Sequence, residues 1–219
     1  MMMNSKTKKY IITDVDGTIL DTMPLYTEIF CELMAKKNIS YKIAKDYFLA
    51  TSGTSLDEQI EGIFKRYDIN INNFEISLLI QKFFDKTSEN MPLLFSGVKD
   101  FIKKMNQTYR LLFATSGSKT VRIKEVFFRY LISYDLILGF DEIPKGVKHI
   151  EKFVQRSRLD YQGFCSQAVY IGDGPKDMII AKRNNIFAIG ITNTVSEAVL
   201  IVAGADVVVK NIKEVLKYI

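Results

Sequence analysis

Asp14 and Asp16 stand two residues apart and are followed by Gly17 and Thr18, directly after the run Tyr10-Ile11-Ile12-Thr13. The run is apolar and β-branched, which predicts a buried strand. In an extended segment side chains alternate with period two, so the two carboxylates share a face. Carboxylates crowded at a strand end repel unless a cation or a proton separates them. Such a pair suits three chemistries: ligation of a divalent cation, general acid–base catalysis, or nucleophilic attack by a carboxylate. A plain strand-to-turn junction, where Asp and Gly bond locally, is the structural alternative. A second pair, Asp173 and Asp177, follows the run Val169-Tyr170-Ile171-Gly172. There a strand delivers Asp173 to a Gly-Pro turn, and Asp177 falls in a first helical turn, a position favourable on dipole grounds alone. Asp173 beside Asp14 would make a pocket of hard oxygen ligands.

Leu111-Leu112-Phe113-Ala114-Thr115-Ser116-Gly117-Ser118 is a strand running into small hydroxyl and glycine residues. A hydroxyl with exposed N–H groups at a helix start can hold a phosphoryl oxygen. The alternative is a helix cap at Ser118. His149 is the single histidine. One imidazole builds no His-based metal site, and it reads as a surface or helix residue.

Taken together, Asp14-Val15-Asp16-Gly17-Thr18-Ile19-Leu20-Asp21, Thr115 and Gly172-Asp173-Gly174-Pro175-Lys176-Asp177 resemble the motifs of the haloacid dehalogenase-like superfamily, most of whose members are phosphatases. The resemblance implies that Asp14 attacks phosphorus and Asp16 is the acid–base. It also implies that Thr115 holds the phosphoryl group with Gly17, Thr18, Ser116 and Gly117 around it. The metal set is Asp14, Asp16, Asp173 and Asp177 about a Mg²⁺ ion, with Asp173 the direct ligand and Asp177 ligating or orienting. A lysine that offsets the charge of the nucleophile is expected before the Gly-Asp strand. Many relatives read K-P-x-P there, whereas this chain reads Lys145-Gly146-Val147-Lys148. Lys145 is preferred for the register of the helix that follows, although Lys148 gives the more usual interval to Asp173. An Asp at position 16 speaks against dehalogenase chemistry, since relatives that cleave carbon–halogen bonds lack it.

The elements that must position these groups follow from periodicity. Apolar stripes such as Leu56, Ile60, Ile63, Phe64 and Tyr67 mark residues 23–91 as helical with no strand. From residue 92 onward strands alternate with helices, which predicts an α/β fold with a doubly wound parallel sheet. Residues 1–22 and 92–219 therefore read as a Rossmann-like catalytic core and residues 23–91 as an inserted all-helical domain. The resemblance makes this insertion a cap that selects substrate, with Thr54 facing the site and every chemical group supplied by the core.

The chain has 219 residues, is 47% hydrophobic and 25% charged, and carries a net charge of +5. That composition is ordinary for a folded, water-borne protein. Residues 23–91 hold 8 Lys+Arg against 10 Asp+Glu, leaving 22 against 15 elsewhere, so the positive excess sits on the core and favours anionic substrates. Without a dense basic tract or aromatic-interleaved stripe, nucleic acid is not an expected partner. Two cysteines make no disulfide framework, and no signal-peptide core or bilayer-length apolar run appears. The expectation is a cytoplasmic, Mg²⁺-dependent phosphatase of a small phosphorylated metabolite, a monomer or weak homodimer. A sugar-phosphate mutase is the alternative. Those relatives usually place a histidine ten residues after the acid–base, where this chain has Tyr26. A catalytically silent binding or regulatory protein would be expected to lose a carboxylate, and none is missing.

Overall fold

The computed structural model describes residues 8–115 and 117–219. Strand β1 (Tyr10–Thr13) is buried along its whole length and ends as read from the apolar run. The chain turns at Gly17 into a two-residue strand β2 (Leu20–Asp21). Four helices follow: α1 (Met23–Ala35), α2 (Tyr41–Ala50), α3 (Leu56–Arg66) and α4 (Asn73–Ser88). The return passes through β3 (Leu93–Leu94), which pairs antiparallel with β2 by Leu20 opposite Leu94 and Asp21 opposite Leu93. The sequence predicted no strand at this crossing, because two-residue strands are too short to show a period. Pro24 stands in the first turn of α1, where its missing N–H costs nothing.

The rest of the chain alternates. In order come α5 (Val98–Met105), β4 (Arg110–Ala114), α6 (Thr120–Tyr130), β5 (Leu136–Leu138), α7 (Val147–Ser157) and α8 (Tyr161–Gln167). Then follow β6 (Ala168–Gly172), α9 (Pro175–Arg183), β7 (Phe187–Ile191), α10 (Glu197–Ala203), β8 (Val207–Val209) and α11 (Ile212–Val215). Helix α8 was not predicted, being short and broken by Gly163. The six long strands form one parallel sheet in the order β5-β4-β1-β6-β7-β8. The winding direction reverses between β1 and β6, and clefts in such sheets open at that reversal, beyond the strands' carboxyl ends. Asp14 follows β1 and Asp173 follows β6, so both carboxylates are delivered to that point.

Alternation along the strands sorts the core into two layers. Ile11, Phe113, Ile171 and Ile189 pack with α5, α6 and α11 on one face, and Ile12, Leu112, Tyr170 and Ala188 pack with α7, α8, α9 and α10 on the other. A third cluster, including Phe30, Phe48, Ile60, Phe64 and Phe83, lies wholly within residues 23–91. The insertion thus has its own apolar centre. Asn72 and Glu75 close a reciprocal capping box at the start of α4. Ser55 occupies the N-cap position of α3 without a side-chain cap bond. Both cysteines are free and buried. Among the described residues no helix is long and apolar enough to cross a membrane.

Helix α6 ends at Leu131, a left-handed residue with φ +58° whose side chain is 89% exposed. A Cβ in that conformation costs about 1–2 kcal/mol, and so exposed a side chain loses little packing when removed. Leu131→Gly is expected to stabilise the protein by about 1 kcal/mol, read as a higher urea midpoint with unchanged slope.

Candidate active site

The extended chain at the end of β1 continues one residue beyond the strand, where the Asp14 amide donates to Ile171 O at 2.8 Å. This seats the Asp14 carboxylate over the gap between β1 and β6. The chain then reverses at Gly17, whose φ is +84°. A Cβ there would lie 2.1 Å from Asp173 Oδ2, so position 17 admits glycine on both conformational and steric grounds. Thr18 follows and donates its hydroxyl to Asp173 Oδ1 at 2.7 Å. Gly17 and Thr18, expected near substrate, therefore act on the Asp173 carboxylate.

Oxygens of Asp14, Asp173 and Asp177 all lie within 4.8 Å of one another, and all three residues are buried. Lys145 is placed among them: its Nζ is 2.7 Å from Asp14 Oδ1 and 2.7 Å from Asp177 Oδ1, with its side chain 1% exposed. Lys148 is exposed. The choice between the two lysines thus falls to Lys145, which sequence register favoured. Burial opposes charge on Lys145, but the Asp14 and Asp177 carboxylates outweigh it and raise its pKa well above the ordinary value. Asp14 is pushed up first by burial and then by Asp177 and Asp173, against the pull of Lys145. Asp173 is pushed up to about 6 by burial and by Asp177, with the Thr194 and Thr18 hydroxyls opposing.

Three carboxylates around one ammonium leave two negative charges uncompensated in a buried place. The donor set is all oxygen and the charge deficit is that of a divalent cation, so the residues fit such an ion. Asp177 accepts from the Gly174 amide at 3.2 Å through Oδ2 while Oδ1 meets Lys145.

Asp16 departs from the expected metal set. Its carboxylate is outside the converging group and sits instead among hydroxyls: Thr115 Oγ1 donates to Oδ2 at 2.9 Å, and Thr22 and Ser118 donate to Oδ1 at 3.1 and 3.4 Å. Alternation does put Asp14 and Asp16 on one side of an ideal strand. Here the strand ends at Thr13, and the turn beginning at Val15 aims the second carboxylate elsewhere. Gly117 donates its amide to Thr115 Oγ1 at 3.2 Å, and a Cβ at 117 would lie 2.9 Å from Asp16 Oδ2. Thr115 and Gly117 thus lie against Asp16, whereas Ser116 lies outside the described residues. Ser118 is not a helix cap; Lys119 holds that position.

Several contributors were not read from the sequence. The Tyr26 hydroxyl, from α1, lies 2.9 Å from Ser118 Oγ. Since Ser118 donates to Asp16, Tyr26 is the donor to Ser118. Burial, with the Asp16 charge second, pushes the phenol far up, keeping its proton in place. The expectation that every chemical group comes from the core therefore needs one addition: Tyr26, from the insertion, bonds Ser118, whose hydroxyl donates to Asp16. Asn193 donates to Gly17 O at 2.8 Å, and Thr194 donates to Asp173 Oδ2. Both follow β7 in a loop with no motif to mark them. His149 lies in a helix as read, but is buried, not at the surface.

A small cavity of about 40 Å³ opens over Asp14 and Asp16, walled by Thr115 and Gly117 from the core and by Tyr26, Phe48, Gln59 and Thr54 from the insertion. Thr54 thus faces the site, as the sequence suggested. Gln59 was not anticipated. Its amide nitrogen bonds Phe48 O and Thr51 O, each at 3.2 Å.

The raised Asp173 pKa has a definite sign for stability. The folded state holds a proton more tightly than the unfolded chain, so the contribution is full below about pH 4 and is lost as pH rises through about 6. In EDTA, stability attributable to this group should fall between about pH 4 and pH 6 by an amount on the order of 2 kcal/mol. Urea titrations of wild type and Asp173→Asn should differ by that slope, and a saturating divalent cation should cancel it for wild type.

The sequence model of the family described as haloacid dehalogenase-like hydrolase matches residues 11–191. Curated proteins returned no match. Among solved structures the chain is similar to a predicted phosphatase from Clostridium acetobutylicum, at 21% identity and TM-score 0.79 over 97% of this chain and 98% of that one. A hydrolase from Pseudomonas syringae gives 17% identity and TM-score 0.82 over 97% of both chains. A predicted phosphoglycolate phosphatase from Haemophilus somnus gives 17% and 0.77 over 99% of both. At these identities the likenesses establish the fold alone. The family match spans both carboxylate pairs, Thr115 and Lys145, the residues that converge at the end of the sheet, and the chain belongs to the haloacid dehalogenase-like hydrolases.

Proposed function

We propose that this hydrolase is a Mg²⁺-dependent phosphatase that cleaves a small phosphate monoester through an aspartyl-phosphate. The observation that carries the reading is the division of the Asp14/Asp16 pair into two environments. Asp14 is clamped by an ammonium within an oxygen-lined pocket; Asp16 is set among hydroxyl donors. The ammonium keeps Asp14 ionised, as a nucleophile must be, while the hydroxyls hold the Asp16 carboxylate in place beside it, within reach of the leaving oxygen and of water.

Lys145 holds Asp14 Oδ1, leaving Oδ2 to attack phosphorus. The bond from Asp14 to phosphorus forms as the bond to the leaving oxygen breaks, and protonated Asp16 gives that oxygen its proton. Asp16 then takes a proton from water, whose oxygen attacks phosphorus and releases Asp14 and inorganic phosphate. Lys145 and the Gly117 side of the Thr115 loop stabilise the phosphoryl oxygens. Asp14 and Asp173 would hold Mg²⁺, which when bound supplies charge neutralisation to those oxygens. Tyr26, Phe48, Gln59 and Thr54 close the cavity, so residues 23–91 act as a cap that excludes water and contacts the leaving group.

Asp14→Asn should lower turnover of p-nitrophenyl phosphate by at least about a thousandfold while the fold is kept, since an amide is a poor nucleophile. EDTA should remove wild-type activity and Mg²⁺ restore it. Activity of Asp14→Asn within tenfold of wild type would refute the covalent route.

Tyr26→Phe tests the acid–base environment. With one hydrogen bond gone from the Ser118–Asp16 chain, alkyl phosphates, whose leaving oxygen needs a proton, should slow by about tenfold. p-Nitrophenyl phosphate, whose leaving group needs none, should change by less than about threefold. Equal losses on both esters would remove Tyr26 from this role.

A further inference from the structure

His149 is a buried titratable group that the reaction above does not use. It is 1% exposed and packs edge-on against Phe153, with ring centres 5.5 Å apart, and against Tyr170 at 6.3 Å. Its Nδ1 accepts the Gly146 N–H at 2.7 Å. An imidazole that accepts at Nδ1 carries its proton on Nε2, so the ring is the neutral tautomer.

Gly146 is next to Lys145. The segment leading to it from β5 is held by turn bonds from Glu142 and Ile143 to Gly139 O, at 3.2 and 3.4 Å. Gly146 is half-buried, and a Cβ there would meet no atom within 4 Å, so no side chain wedges the residue in place. The amide bond to His149 anchors this residue to α7, in whose first turn His149 lies. Three residues on from the helix cap is the position from which a side chain reaches back to the cap amide.

We infer that His149 is a positioning residue for Lys145: by fixing the Gly146 amide it holds the segment that delivers the ammonium to Asp14 and Asp177. The inference rests on the phosphatase reading, in which Lys145 stabilises the phosphoryl group. A protonated imidazole could not accept the amide and would repel Lys145. Burial and the Lys145 charge push the His149 pKa down to about 3, so the acceptor persists throughout the ordinary pH range.

Two variants separate positioning from packing. His149→Phe keeps an aromatic ring beside Phe153 and Tyr170 but has no acceptor. His149→Gln loses the ring but carries an oxygen that can reach the cap amide. Binding of inorganic phosphate in Mg²⁺, measured by calorimetry, and turnover of p-nitrophenyl phosphate are compared with melting temperature. Positioning predicts that His149→Phe weakens phosphate binding and turnover by about tenfold or more. His149→Gln should stay within about threefold of wild type, whichever variant melts higher. If His149→Phe binds phosphate as wild type does, or if His149→Gln fails to restore binding, the inference is wrong. Wild type that neither binds phosphate nor hydrolyses the ester would instead overturn the phosphatase reading itself.

Discussion

The Lys145 ammonium, wedged between Asp14 and Asp177, is the contact on which the rest of the site depends. Three carboxylates within 4.8 Å of one another would repel strongly in a buried place. One fixed cation makes the cluster tolerable while leaving it short of two positive charges. Removing one partner of a buried pair typically costs about 3–5 kcal/mol, because the remaining charge is left unmatched. The same arithmetic keeps the cluster receptive to a divalent cation. A second lysine would neutralise it further and leave less for an ion to gain.

The two carboxylates of the first motif show how environment assigns roles to identical side chains. Asp14 meets a cation and other carboxylates; two residues on, Asp16 meets Thr22, Thr115 and Ser118 hydroxyls. The separation arises from the backbone, since the strand ends at Thr13 and the turn through Gly17 changes the direction of everything after it. That turn also brings Gly17 against Asp173 so closely that no side chain fits. The Asp14–Thr18 and Gly172–Asp177 segments are thus in van der Waals contact, and the Thr18 and Thr194 hydroxyls lock Asp173 from both oxygens.

The insertion has its own apolar cluster, yet it is tied to the core where chemistry is done. The β2–β3 ribbon joins its two crossings, and Tyr26 extends from α1 to Ser118 beside Asp16. A helical body with a self-sufficient core can shift as a unit. Phe84 also stacks on Phe140 of the core, and Arg122 donates to Thr87 O and Asn90 O, so the hydroxyl pair that links the insertion to Asp16 is one of several contacts between the two bodies.

The sequence by itself determined the fold class and the chemical cast. Alternating apolar runs and helical stripes are local signals, so the parallel sheet, the all-helical stretch at 23–91 and the delivery of Asp14, Thr115 and Asp173 to strand ends were legible without coordinates. The motif spacing carried Asp177, and helix register favoured Lys145 over Lys148. What only the tertiary structure decided was which of these groups meet. Asp16 leaves the metal cluster because of a turn whose direction no periodicity encodes. Tyr26, Thr22, Ser118, Asn193, Thr194 and Gln59 enter because segments distant in sequence are brought together, and ordinary hydroxyls and amides carry no mark of that in advance. His149 reads as a surface or helix residue, since one imidazole builds no metal site. Burial under α7 against Tyr170 of β6 is a property of layer packing, which exists only once the strands are assembled.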